Sequence, residues 1–178
     1  AGAAPLVLTA SSLSNPALPP YAASNPEVPA LLAGAGECDL VIDVTVGGLI
    51  HSDVRTRITG AGKRMLFVAE PADVLQRLMG NDVVRQRVEA AAAALHAGER
   101  MRVTSAAGTD LEVDISGASL PITRQWGYVD EPGRWDHWPS GFVACFPHDR
   151  SAQGRIVLNV GDVLLPWCQY VAAPVTLT

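Results

Sequence analysis

Residues Asp39-Leu-Val-Ile-Asp-Val-Thr-Val-Gly-Gly48 set the fold class. From Asp39 to Thr45 the run is β-branched and almost continuously apolar, the pattern of a strand buried on both faces as in a parallel sheet, and Gly47-Gly48 closes it. On its C-terminal side Ser52 is placed to cap a helix in which Val54 and Ile58 stand one turn apart, with Gly60 and Gly62 as the stop. Met65-Leu-Phe-Val-Ala69 follows as another strand, and Pro71 opens a further helix where its missing N–H costs little. On the N-terminal side, a short helix near Glu27–Ala33 ends at Gly34 and Gly36. Before it, Pro5-Leu-Val-Leu-Thr9 reads as a first buried strand, followed by a Ser/Asn/Pro-rich loop.

The longest helix is predicted over Asp82–Ala97, with Val84, Val88, Ala91 and Leu95 on one stripe and Gly98 after it. Strands alternating with helices in this order predict an α/β fold, an open Rossmann-like parallel sheet with helices. After residue 100 the pattern changes. Met101–Ser105 and Leu111–Ile115 flank Ala107-Gly-Thr-Asp110 as an antiparallel hairpin, residues 116–153 show little periodicity, and Arg155–Val160 and Val163–Leu165 resume strand character. The expected organisation is therefore a Rossmann-like domain over residues 1–99 and a β-rich module over residues 100–178. The chain starts at Ala1, close to an apolar run, and stops inside the alternating Val175-Thr-Leu-Thr178. Both parts are accordingly expected to be incomplete at these ends.

Of the 178 residues 48% are hydrophobic and 17% charged, which fits a chain with a buried core. A net charge of -5 offers no basic footprint for nucleic acid. No apolar run reaches the length of a membrane span, and no basic segment followed by an apolar one opens the chain. Cys38, Cys145 and Cys168 are odd in number and form no CxxC pair, so reduced, mostly buried thiols in a cytoplasmic protein are expected.

Nucleotide loops are not signalled. The glycines of Gly34-Ala-Gly36 precede a strand instead of following one, Gly47-Gly48 lacks the third glycine, and no GxxxxGK[ST] occurs. His51 stands just past the C-terminal end of the 39–45 strand and just before a helix, the edge at which open α/β sheets place their ligands. The positive end of a helix dipole favours a neutral imidazole there, which suits a general acid/base; an exposed loop histidine is the plainer role. Glu70, at the end of the next strand, shares that edge or is a simple loop carboxylate. The densest segment is Gln125-Trp-Gly-Tyr-Val-Asp-Glu-Pro-Gly-Arg-Trp-Asp-His-Trp-Pro-Ser-Gly-Phe142, with three of the four tryptophans. Its aromatic rings, interleaved with polar groups and braced by Pro and Gly, suit the wall of a small-molecule site, with Glu131, Arg134, Asp136, His137 and Trp138 as substrate-binding residues. A packed minicore is the alternative use of such a segment. Asp136-His137 alone is not a metal site, which needs three or more protein ligands. His96 reads as a dipole-compensating helix residue and His148 as a turn residue.

Asp43-Val-Thr, Leu49-Ile-His-Ser52, Val68-Ala-Glu-Pro71, Gly154–Asp162 and above all Tyr128-Val-Asp-Glu-Pro-Gly-Arg-Trp-Asp-His-Trp-Pro-Ser-Gly-Phe142 carry a resemblance. Over essentially its whole length the chain resembles the 2,5-dihydroxypyridine 5,6-dioxygenases, whose wider family includes aminopeptidase T-like metallopeptidases. The resemblance implies opening of an N-heteroaromatic diol in nicotinate and nicotine breakdown, at a mononuclear non-heme Fe(II) held by two histidines and an aspartate. Those ligands belong to HIGWG-like and HLD-like motifs that do not occur here, so the metal is expected in the full-length protein and not on this chain. His51 matches the family's acid/base and His137 a histidine close to the active site, while Gln125 stands where a relative carries glutamate. The implied partners are a small N-heteroaromatic substrate, O2 and further copies of the chain in a homo-oligomer. An aminopeptidase T-like metallohydrolase and a noncatalytic binding or assembly module are the competing readings.

Overall fold

The structure is a computed structural model that describes residues 3–9, 28–45, 49, 52–68, 70–117, 121–164 and 169–178. In chain order its elements are α1 (Val28–Gly36), β1 (Leu40–Asp43), α2 (Asp53–Gly60), β2 (Arg64–Val68), α3 (Ala72–Arg77), α4 (Asp82–Ala97), β3 (Arg100–Thr104), β4 (Asp110–Asp114), β5 (Ile122–Gln125), β6 (Trp135–Trp138), β7 (Phe142–Cys145), β8 (Gln153–Leu158), β9 (Val163–Leu164), β10 (Gln169–Tyr170) and β11 (Val175–Leu177). It is a mixed α/β structure, a parallel sheet accompanied by antiparallel ones.

The chain forms two compact units. The first comprises Ala1–Val88 with Gln125–Phe142, the second Glu89–Arg124 with Val143–Thr178.

The first unit holds a three-stranded parallel sheet in the order β1-β2-β6. Two expectations are corrected here. Residues 5–9 form no strand among the described residues, and Leu6, Val7 and Leu8 are exposed. The third strand comes instead from Trp135–Trp138, inside the segment read as irregular. An apolar run becomes a strand only where a sheet edge receives it, and β2 receives β6. The Gly62 carbonyl accepts from Gly133 N and the Arg134 carbonyl from Met65 N, which fixes the approach of β6 to β2. Val54 and Ile58, one turn apart on α2, join Ala35, Leu49 and Met65 in a core that Leu31, Leu32, Val41 and Trp135 border. Full burial of a side chain such as Met65 or Val54 contributes about 1.5–3 kcal/mol. Ser52 precedes α2 as expected but does not cap it: its hydroxyl donates to the Leu49 carbonyl at 2.7 Å. Capping of α4 falls to Asn81, whose Oδ1 accepts from Val84 N.

In the second unit β11-β8-β4-β3 form an antiparallel sheet, and β3 and β4 are the expected hairpin. Arg102 forks onto both carboxylate oxygens of Asp110 at 2.7 and 2.8 Å and holds that carboxyl below its ordinary value. Gly154 lies opposite Leu111 at φ +110°, and a Cβ there would fall on the Asp110 carbonyl oxygen. Gly108 has a similar φ of +107° but only Val157 Cγ2 within reach, at 3.6 Å. Gly154→Ala is therefore expected to destabilise by about 2–3 kcal/mol and Gly108→Ala by about 1 kcal/mol, the difference isolating the clash from the backbone penalty. Urea midpoints of the two variants check the order. Cys38 and Cys145 are free thiols, while Cys168 lies outside the described residues. No helix among the described residues is long and apolar enough to cross a membrane.

Candidate functional site

Parallel register brings three side chains into one row near the C-terminal end of the sheet. Asp43 pairs with Phe67, and Phe67 with His137. Successive side chains of a strand point to opposite faces, so this row shares its face with Val41, Met65 and Trp135, the face against which α1 and α2 pack.

His137 closes the row. Its ring lies 5.1 Å from that of Phe67, tilted by 40°. Its Nε2 is buried and has no hydrogen-bond partner among the described residues. A buried polar atom left unpaired costs about 1–3 kcal/mol, and Nε2 is the atom of this row whose hydrogen-bonding capacity the described residues leave unused. Beneath it in the strand, Trp135 carries the guanidinium of Arg55 4.5 Å above its ring. Arg55 Nε is likewise buried without a hydrogen-bond partner, and burial pulls the guanidinium below its ordinary pKa.

Asp43 sits at the other end of the row, 3% exposed. Its Oδ1 accepts from Thr45 N at 3.0 Å and Thr45 Oγ1 at 2.7 Å, and its Oδ2 from Leu49 N.

The opposite face of β6 is chemically different. Asp136 is 0% exposed, and its carboxylate accepts from Trp126 N at 3.0 Å, Gly127 N at 3.1 Å, His137 N at 2.7 Å and the Arg134 guanidinium at 2.7 Å. Those donors saturate it. Arg134 also covers the Trp126 ring at 3.2 Å, with Arg85 4.6 Å from the same ring. Glu131 is exposed and pairs with Arg85 at 3.3 Å, beside Asp130 at 2.8 Å. Trp138 Nε1 donates to the Leu78 carbonyl at 3.2 Å. Gly80 makes this packing possible, because a Cβ there would fall on the Trp126 carbonyl oxygen.

The expected site residues are thus divided. Glu131, Arg134 and Asp136 form one network around Trp126, Trp138 is tied to the backbone at Leu78, and His137 faces away from Asp136 into the row with Phe67 and Asp43. His51 lies outside the described residues; Glu70 is exposed. Gln125 is buried beside Trp126. Sequence reasoning passed over Asp43, although a carboxylate inside an apolar strand run is itself a signal, and over Arg55, which carries none. Among the described residues no three His, Cys, Asp or Glu side chains converge as a metal site would require.

Comparison with known proteins bears on this geometry. Residues 12–178 match the family model described as 2,5-dihydroxypyridine 5,6-dioxygenase. The chain is 40% identical over 139 residues to the 2,5-dihydroxypyridine 5,6-dioxygenase of Pseudomonas putida strain KT2440, a match covering 78% of this chain and 39% of that protein. It is similar to the solved structure of 2,5-dihydroxypyridine dioxygenase from Pseudomonas putida KT2440, with a TM-score of 0.73 and 38% identity over 82% of this chain and 41% of that one. The chain therefore spans about two fifths of the length of these relatives.

Proposed function

This chain belongs to the 2,5-dihydroxypyridine 5,6-dioxygenase family, and from that premise we propose that it is the substrate-side part of a ring-opening dioxygenase. The substrate is 2,5-dihydroxypyridine or a similar N-heteroaromatic diol, of the kind met in nicotinate breakdown, and the ring opens with both atoms of O2 entering the product. Identity at 40% with the Pseudomonas putida enzyme carries this reading. Among the described residues no three His, Cys, Asp or Glu side chains fit an iron centre, and in this reading Fe(II) would be held by ligands in the part of the relatives' length that this chain does not span. The working enzyme is a cytoplasmic homo-oligomer in this reading.

What these residues contribute is binding and proton handling. His137 offers its free Nε2 to a polar edge of the heterocycle, with the Phe67 ring as an apolar neighbour. A site built to pair a substrate hydroxyl or ring nitrogen discriminates strongly, because its own polar atom is stranded when the partner is missing. His51, past the end of β1, takes the proton of the substrate hydroxyl, which needs an imidazole that is neutral at working pH. Arg134 and Asp136 hold the Trp126 turn and the β6 backbone that present His137.

The test uses the full-length protein, loaded with Fe(II) under anaerobic conditions and then given 2,5-dihydroxypyridine and O2. One O2 consumed per ring lost supports the reading; no consumption, with cleavage of peptide substrates instead, contradicts it. His137→Gln removes no hydrogen bond made by Nε2 and is expected to raise KM or lower turnover about tenfold while changing stability by under about 1 kcal/mol. Trp135→Ala, which strips a ring bordering the core, is expected to cost about 2–4 kcal/mol. Thermal melts and steady-state kinetics on the pair separate the two roles.

A further inference from the structure

We infer that Arg55 is a second substrate-binding residue beside His137, taking with its guanidinium a negatively charged oxygen of the bound heterocycle. The inference rests on the dioxygenase reading above. Arg55 belongs to α2, whose Val54 and Ile58 are buried in the core of the first unit, and its guanidinium stands 4.5 Å from the centre of the Trp135 ring. Trp135 and His137 lie two residues apart on β6, so they share the face on which α2 packs, roughly 7 Å from one another along the strand. The guanidinium and His137 Nε2 therefore serve neighbouring positions of one face.

Charge sets Arg55 apart from its counterparts. Arg85 pairs with Asp130 and Glu131, Arg100 with Glu112, Arg102 with Asp110 and Arg134 with Asp136. Half-buried Arg55 has no carboxylate partner among the described residues; its Nε is buried without an acceptor, and burial lowers its pKa. The face of Trp135 attracts the cation and fixes its plane, but it offers no lone pair to the N–H groups. A guanidinium stays protonated and carries five donors in a rigid fork. It can thus take an anionic oxygen without first breaking an ion pair. A dihydroxylated N-heterocycle supplies such an oxygen once a hydroxyl proton is lost, and a charged donor binds it more strongly than a neutral one. The two oxygens of a 2,5-diol stand at opposite ends of the ring, so holding both takes two separate groups.

The experiment measures dissociation constants by calorimetry under anaerobic conditions on the full-length, iron-loaded enzyme and its Arg55→Met and Arg55→Lys variants. The ligands are 2,5-dihydroxypyridine and two compounds that keep one oxygen each, 2-hydroxypyridine and 3-hydroxypyridine. Methionine leaves a straight apolar side chain over Trp135 and removes the charge and the donors. Arg55→Met is expected to weaken 2,5-dihydroxypyridine about 10- to 100-fold, the range for one charge-assisted hydrogen bond. It should weaken one single-oxygen compound by a similar factor and leave the other within about twofold. Arg55→Lys keeps the charge and is expected to lose only about 3- to 10-fold, with the same split between the two compounds. Iron content and melting temperature should stay near those of wild type. Should Arg55→Met not fold, the split in Arg55→Lys decides. Unchanged affinities, equal weakening of both single-oxygen compounds, or a weakening that only follows lost iron or a lower melting temperature overturns the inference and leaves Arg55 a packing partner of Trp135. Wild-type enzyme that neither binds 2,5-dihydroxypyridine nor consumes O2 with it overturns the dioxygenase reading and the inference with it.

Discussion

Asp136→Ala is expected to lower stability by about 3–5 kcal/mol, the range for removing one partner of a buried ion pair. The loss follows from what is stranded. Trp126 N, Gly127 N, His137 N and the Arg134 guanidinium all donate to this one carboxylate, and the substitution removes their shared acceptor at a fully buried position. For a chain of this size the melting temperature should fall by roughly 6–20 °C. Asp136→Asn keeps one acceptor and should lie between the two. Glu131→Ala is the control, since its exposed pair with Arg85 is worth about 0–1 kcal/mol. Equal effects of Asp136→Ala and Glu131→Ala would show that the network around Trp126 does not hold the turn before β6.

The second large effect is on rate. In the full-length enzyme His51→Ala is expected to lower turnover by about 10²–10⁴-fold, as for loss of a general acid/base, with iron content and melting temperature nearly unchanged. Unaltered turnover would leave His51 an ordinary loop residue. A loss of iron in step with activity would make it part of the metal's surroundings instead. The two substitutions probe different levels of the molecule: Asp136 acts on the frame and should be read in stability, whereas His51 acts on a proton and should be read in kcat.

The parts of the fold legible in the sequence are those with a local period. Asp39–Thr45 is β-branched and continuous, and Asp82–Ala97 has its apolar residues on one stripe; both appear where expected, as β1 and α4. Trp135-Asp-His-Trp138 has neither signal. Its two tryptophans and two polar residues form a strand because Arg134, Trp126 and Gly127 neutralise and cap the Asp136 carboxylate, and because β2 offers an open edge. Neither cause is visible in the four residues themselves. Pro5–Thr9 is the converse case, apolar enough for a strand but without a sheet partner among the described residues.

The candidate site was legible by composition and not by geometry. Crowding of Trp, Asp, Arg and His in residues 125–142 pointed to the segment that carries the proposed site. It did not reveal that strand alternation turns His137 toward Phe67 and Asp136 toward Trp126, since alternation matters only once the strand is known. Asp43 belongs to the same lesson. Its burial does not follow from the apolar run around it, since Ile42 and Val44 are exposed, and its partners at Thr45 and Leu49 lie beyond the end of β1.

We propose above that this chain serves a dioxygenase acting on a dihydroxylated N-heterocycle. Its most direct test is the fate of labelled oxygen: full-length, iron-loaded protein is given 2,5-dihydroxypyridine under oxygen-18 gas, and the product is weighed by mass spectrometry. A ring-opened product carrying both labelled atoms is expected. A product with one label or none, or a substrate left intact while iron is bound, would contradict it.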